Sequence, residues 1–93
     1  MTYQEFESAA RAEGFDEVLS REWAPEQVLE PHRHPFAVKA IVARGEFWLT
    51  EGDCIRHLRE GEGFELGRDV PHAERYGPDG ATLWVARRHG AGG

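Results

Sequence analysis

From residue 15 onward, apolar and polar positions alternate in short runs that are rich in β-branched and aromatic residues and are separated by Gly, Pro and Asp. Alternation with a period of two is typical of strands that bury one face, and frequent turn residues between such runs indicate an all-β sandwich or barrel. The pattern predicts eight strands, at residues 17–24, 27–34, 38–45, 46–52, 54–61, 63–68, 71–77 and 81–88. Turns are predicted at 44–46, 51–53, 59–63 and 77–80.

The first residues of the chain follow the period of a helix instead. Tyr3, Phe6 and Ala10 share one helical face, and Thr2 with Glu5 three residues later matches a capping box. Because so short a helix is unstable alone, we expect it to pack on the β-domain. The predicted organisation is a helical segment at 1–14, a barrel at 15–88 and a flexible tail at 89–93.

Composition narrows the possible partners and the compartment. The 93 residues are 40% hydrophobic and carry a net charge of −6, which argues against a nucleic-acid or anionic-membrane partner. No apolar run is long enough to span a bilayer, and the N-terminus lacks the pattern of a secretory signal. The single cysteine, Cys54, excludes an intrachain disulfide and is interpreted as an ordinary strand thiol. We therefore predict a cytoplasmic protein.

The segment EPHRHPF, residues 30–36, offers candidate chemistry because it places two histidines one residue apart between two prolines. Pro31 and Pro35 oppose a helix, and alternate positions of an extended strand project to one side. The rings of His32 and His34 can therefore converge on one point, as metal ligands do. The alternative is a pair of surface histidines beside a turn.

Two separated motifs resemble those of the cupin superfamily, in its smallest single-domain form, and together they cover roughly residues 24–86. The first, PHRHPFAVKAIVARG, supplies His32, His34 and the closing Gly45; the second, GEGFELGRDVPHAERYG, supplies Gly61 and His72. The resemblance implies a double-stranded β-helix, the jelly-roll cupin barrel, with the two motifs separated by a hairpin.

The chain departs from the family pattern at several positions. At the family's spacing from His34 and Gly45, the glutamate ligand falls on Val38, which cannot bind a metal, and the neighbouring Lys39 should point to the other face of the strand. In the second motif, Gly67, Asp69 and Tyr76 stand where the family has proline, glycine and asparagine. Three of the four family ligands are thus retained.

The resemblance implies that His32, His34 and His72 converge inside the barrel and bind a divalent transition metal, which could be Fe, Zn, Ni or Mn. Three histidines are a sufficient metal site, as in the zinc centre of carbonic anhydrase on another fold. The alternative is a vestigial site whose rings remain as hydrogen-bonding core residues. His57 and His89 fall outside both motifs and are expected to be surface rings.

Alternation along the strand after Pro71 places Glu74 and Tyr76 on the same face as His72, so both are candidate catalytic residues. Glu74 could replace part of the lost carboxylate's role, as a partner of the ligands or as a general base. Alternatively, it pairs with an arginine such as Arg33 or Arg44. Tyr76 could offer its phenol to a ligand or simply fill the barrel mouth.

Two functions follow from these residues. The first is a metal-binding small cupin that acts on a small organic molecule by dioxygenase, isomerase or lyase chemistry. The second is a non-catalytic cupin module that binds or senses a small ligand, with or without metal. The sequence leaves open whether the protein is an enzyme. A homodimer is expected in either case, because pairing covers the exposed edge strands of a small jelly roll.

Overall fold

The computed structural model describes residues 1–90 and confirms the predicted fold class, an antiparallel β-structure with one short N-terminal helix. The elements are α1 (Tyr3–Ala12), β1 (Glu17–Trp23), β2 (Val28–His32), β3 (Ala37–Glu51), β4 (Cys54–Arg59), β5 (Gly63–Leu66) and β6 (His72–Arg88).

The helix forms as the sequence predicts. The Thr2 side chain accepts a hydrogen bond from the Glu5 amide, and the Glu5 carboxylate accepts one from the Thr2 amide, which completes the capping box. Phe6 and Ala10 are buried against the outer face of the sheet, where Trp84 contacts the ring of Phe6. The helix is therefore held by its apolar face, as expected for an element too short to be stable alone.

The structure has six strands where the sequence predicts eight, because two of the predicted turns lie inside continuous strands. β3 runs through residues 44–46 and β6 through residues 77–80, so these two turn predictions are wrong. The pairing of β3 with β6 shifts register between Gly45 and Phe47, and Gly45 has a φ of +82°. The glycine thus marks a bulge that bends the strand. A bulge of this kind favours glycine, as a turn does.

The long strands β3 and β6 pair along their length, and each contributes to two layers. One half of this pair lies between β1 and β5, and the other half lies between β2 and β4. The inner faces of the two layers pack together: Trp23 of β1 stacks on Tyr76 of β6, which stacks in turn on Phe47 of β3. This arrangement is the predicted jelly roll, with the core between the layers.

The described chain ends at Gly90, so the last three residues of the tail predicted at 89–93 lie outside it. No helix among the described residues is long and apolar enough to cross a membrane.

Candidate metal centre

Three histidine rings gather at one end of the barrel. His32 ends β2, His72 begins β6 directly opposite it, and His34 follows in the connection to β3. One ring nitrogen from each lies within 4.8 Å of the others. The sequence placed both His32 and His34 on one strand, whereas the strand ends at His32. The connection keeps His34 in place because its carbonyl accepts the Asp69 amide at 2.8 Å, and its ring stacks on Phe36.

Backbone carbonyls orient two of the rings. His32 Nδ1 lies 2.7 Å from the Glu30 carbonyl oxygen, and His72 Nδ1 lies 2.9 Å from that of Val70. A carbonyl oxygen only accepts hydrogen bonds, so each Nδ1 carries a proton, and in the neutral ring each Nε2 presents a lone pair. This is the tautomer in which a histidine binds a metal through Nε2 while its other nitrogen is held by an outer partner.

Glu74 turns towards these two Nε2 atoms. Its Oε2 lies 3.5 Å from His32 Nε2 and 3.4 Å from His72 Nε2, and its side chain is 9% exposed. The alternative of a Glu74–arginine pair is therefore wrong for this structure; Arg44, one of the two arginines considered, contacts Glu22 instead. The carboxylate belongs to the histidine cluster.

Tyr76 is fully buried and does not fill the barrel mouth. Its ring lies between Trp23 and Phe47, and its hydroxyl donates a short hydrogen bond to Glu74 Oε1. Burial, followed by the adjacent Glu74 carboxylate, raises the pKa of the Tyr76 phenol far above its ordinary value. The phenol therefore stays protonated and orients Glu74 with Oε2 facing the histidines.

The environment of His34 favours a neutral ring. Burial, followed by the proximity of His32 and His72, lowers the pKa of His34 below its ordinary value. A neutral imidazole is the form that binds a metal. Its position beside two further rings therefore suits a shared ion better than a shared proton.

The cluster opens into a cavity of about 350 Å³ inside the barrel. Val38, which occupies the sequence position of the family's glutamate, is buried in the cavity wall and makes that wall apolar. Lys39 points the other way, as expected, and its Nζ lies 2.7 Å from Glu13 Oε1 of the helical segment. The other aromatic and aliphatic wall residues are Trp23, Leu29, Phe36, Phe64, Leu66, Leu83 and Val85.

Besides Glu30, sequence reasoning missed two cavity arginines, Arg21 and Arg87. Both could have been found by alternation. Arg21 lies between the inward positions of Leu19 and Trp23 on one strand, and Arg87 follows the inward Val85 by two residues. Each guanidinium stacks on a cavity aromatic, Arg21 on Trp23 and Arg87 on Phe36.

The remaining candidates lie outside the cavity wall. His57 Nε2 contacts Glu46 Oε1 at 2.6 Å and its ring stacks on Trp48, while His89 contacts the Glu17 carboxylate near the end of the described chain. Cys54 is exposed at the start of β4. Neither histidine belongs to the three-ring cluster.

The sequence matches no protein-family model and no curated protein. Solved structures match the fold. An RmlC-like cupin from Shewanella frigidimarina is 22% identical, with a TM-score of 0.67 over 82% of this chain and 69% of that one. A structure of the DMSP lyases RdDddP and RnDddQII is 24% identical, with a TM-score of 0.72 over 81% of this chain and 38% of that one.

A third match is Drosophila melanogaster CENP-C bound to CAL1, which is 20% identical with a TM-score of 0.66 over 75% of this chain and 60% of that one. This chain thus spans less than two thirds of the length of two of these three structures. The matches carry lyase and protein-binding functions on one architecture, and at these identities they establish architecture alone. The described chain is a small domain with the cupin fold.

Proposed function

We propose that the protein binds a divalent transition metal through His32, His34 and His72, and acts with it on a small organic molecule in the barrel cavity. One observation carries the proposal: Glu74 Oε2 lies 3.4 and 3.5 Å from the Nε2 atoms of two histidines. In the neutral rings these nitrogens and the carboxylate are electron-pair donors, which repel one another unless a metal ion or a proton lies between them. In a four-coordinate site with metal–ligand bonds of about 2.0–2.1 Å, neighbouring donors are about 3.3–3.4 Å apart.

Glu74 supplies the carboxylate that Val38 no longer provides. The hydrogen bond from Tyr76 occupies Oε1 and leaves Oε2 for the ion, so the chain would hold the metal with three imidazoles and one carboxylate from a different strand position. A metal that expands its coordination beyond these four ligands would polarise a substrate oxygen or lower the pKa of a coordinated water. The apolar cavity wall would exclude bulk water from the reacting molecule. Iron, zinc, nickel and manganese all accept this ligand set.

The lyases among the fold matches support this function; the second candidate is a non-catalytic module that binds or senses a small ligand. A protonated imidazole beside Glu74 would satisfy the same contacts without metal, and this state is open to the binding module only. The homodimer and the cytoplasmic location stay predictions for both.

Elemental analysis tests the metal centre. Purified untagged protein should contain about one metal ion per chain after anaerobic reconstitution, and His72→Ala should lose it. His57→Ala removes a histidine outside the cluster and serves as the matched control that keeps the metal. Zinc affinity should fall at least about tenfold in Glu74→Gln, which removes the charged ligand but keeps its size. No metal in the wild type would refute the proposal and leave the binding module.

A further inference from the structure

We propose that the molecule bound in the cavity carries a carboxylate group, and that Arg21 binds this group. The inference deepens the proposed function and rests on it for the position of the reacting end of the molecule. It rests on the positive charge of the Arg21 guanidinium in the cavity wall, for which the described residues supply no carboxylate partner.

Arg21 occupies an inward-facing position. On β1 it lies between Leu19 and Trp23, which pack against the core, and it pairs in register with the buried Leu83 of β6. The side chain is half-buried in the cavity wall. A guanidinium stays charged at all physiological pH values, so partial burial among apolar side chains costs free energy unless an anion compensates it.

The described residues supply no such anion. None of their carboxylates forms an ion pair or hydrogen bond with Arg21, and the closest support is the Trp23 ring, whose centroid lies 4.7 Å from the guanidinium carbon. Stacking on a ring leaves the N–H groups at the edge of the guanidinium free to donate. Their fork matches the two oxygens of a carboxylate.

Arg87 provides a natural comparison within the same wall. Its guanidinium also stacks on an aromatic, Phe36, but its Nη1 lies 3.4 Å from Glu17 Oε1. Arg87 is four residues from Leu83 along β6, a separation of about 13 Å. The backbone positions of the two arginines are therefore well separated along the wall, and of the two only Arg21 lacks a carboxylate partner among the described residues.

The charge balance of the wall favours an anion once metal is present. The ionic cavity residues are two arginines and two glutamates, Glu30 and Glu74. Their charges cancel, and the Glu17 carboxylate that pairs with Arg87 adds one negative charge, so a divalent metal leaves an excess of one positive charge in a cavity with mostly apolar walls. A monocarboxylate with a small apolar body matches both the charge and the wall, and the cavity of about 350 Å³ lies within the usual range for such ligands.

The test uses benzoate and benzamide, which have nearly equal size but differ in charge. Calorimetric titration is carried out on zinc-loaded and metal-free wild type, Arg21→Gln, Arg21→Lys and Arg87→Gln, with the zinc content of each sample measured first. Wild type should bind benzoate about tenfold or more tightly than benzamide. Arg21→Gln should weaken benzoate binding roughly tenfold to hundredfold and leave benzamide unchanged. Arg87→Gln removes the same charge and should weaken benzoate binding less than Arg21→Gln does. Arg21→Lys, which keeps the charge but not the fork, should weaken it by an intermediate amount.

Two readouts keep the proposals separate. Zinc content tests the metal centre, which is contradicted if the wild type binds no zinc. The effect of Arg21→Gln on benzoate binding tests the carboxylate site, and it is measured on the metal-free protein as well as on the zinc-loaded protein. No benzoate binding, equal affinity for the two probes, or a larger effect of Arg87→Gln would overturn the assignment to Arg21. Thermal unfolding of Arg21→Gln verifies that the variant is folded, and Arg21→Lys tests the fork geometry if it is not.

Discussion

Replacing Gly45 by alanine tests the bend on which the two-layer architecture depends. Gly45 has a φ of +82°, and a Cβ at this position would lie 2.2 Å from the Gly80 carbonyl oxygen and 2.9 Å from the Ala81 Cα. Both are backbone atoms in the middle of β6, the strand that pairs with β3 along its length. They cannot move aside without disturbing that pairing.

The cost has two parts. A left-handed backbone costs an alanine about 1–2 kcal/mol, and overpacking against a fixed backbone costs about 1–3 kcal/mol more. We therefore expect Gly45→Ala to lower the free energy of unfolding by about 2–5 kcal/mol. In a domain of this size, each kcal/mol lowers the melting temperature by about 4–8 °C. The loss is a large share of the roughly 5–15 kcal/mol that stabilises a typical protein.

Gly52→Ala is the matched control. Gly52 also has a positive φ, +56°, but an added Cβ there would meet no atom within 4 Å. Its cost should be the backbone part alone, about 1–2 kcal/mol. Urea unfolding followed by tryptophan fluorescence compares the two variants with wild type. Equal losses for Gly45→Ala and Gly52→Ala would refute the close approach of β3 to β6 as the source of strain.

Two further predictions concern the histidine cluster. Because the folded chain holds the pKa of His34 below its ordinary value of about 6.5, the unfolded chain binds more protons as pH falls below that value. The free energy of unfolding should therefore decrease as the pH falls from 7 to 5, and it should decrease less in His34→Gln than in wild type. Equal decreases in the two proteins, measured by urea unfolding, would contradict this. Tyr76→Phe should weaken zinc binding about tenfold by releasing Glu74. Tyr3→Phe, which removes a hydroxyl outside the cavity, should leave zinc affinity unchanged.

Much of the candidate site was predictable because it depends on local chemistry. The H-x-H segment between prolines and the later His72 were found from spacing and from the resemblance to cupins, and the structure brings the three rings together. Lys39 faces away from the cavity, as strand alternation predicts. The bends in β3 and β6 were misassigned because a bulge and a turn select the same glycines, and only cross-strand pairing distinguishes them.

The sequence by itself determined the capped helix, the alternating strands and the histidine spacing, since each depends on residues that are near neighbours in the chain. Only the tertiary structure decided that Glu74 faces the histidines while Tyr76 holds it, and that Arg21 shares their cavity. These contacts join β1, β2 and β6, whose positions depend on how the two layers pack. A period of two shows which face a residue occupies, but it carries no information about which distant residue occupies the opposite face.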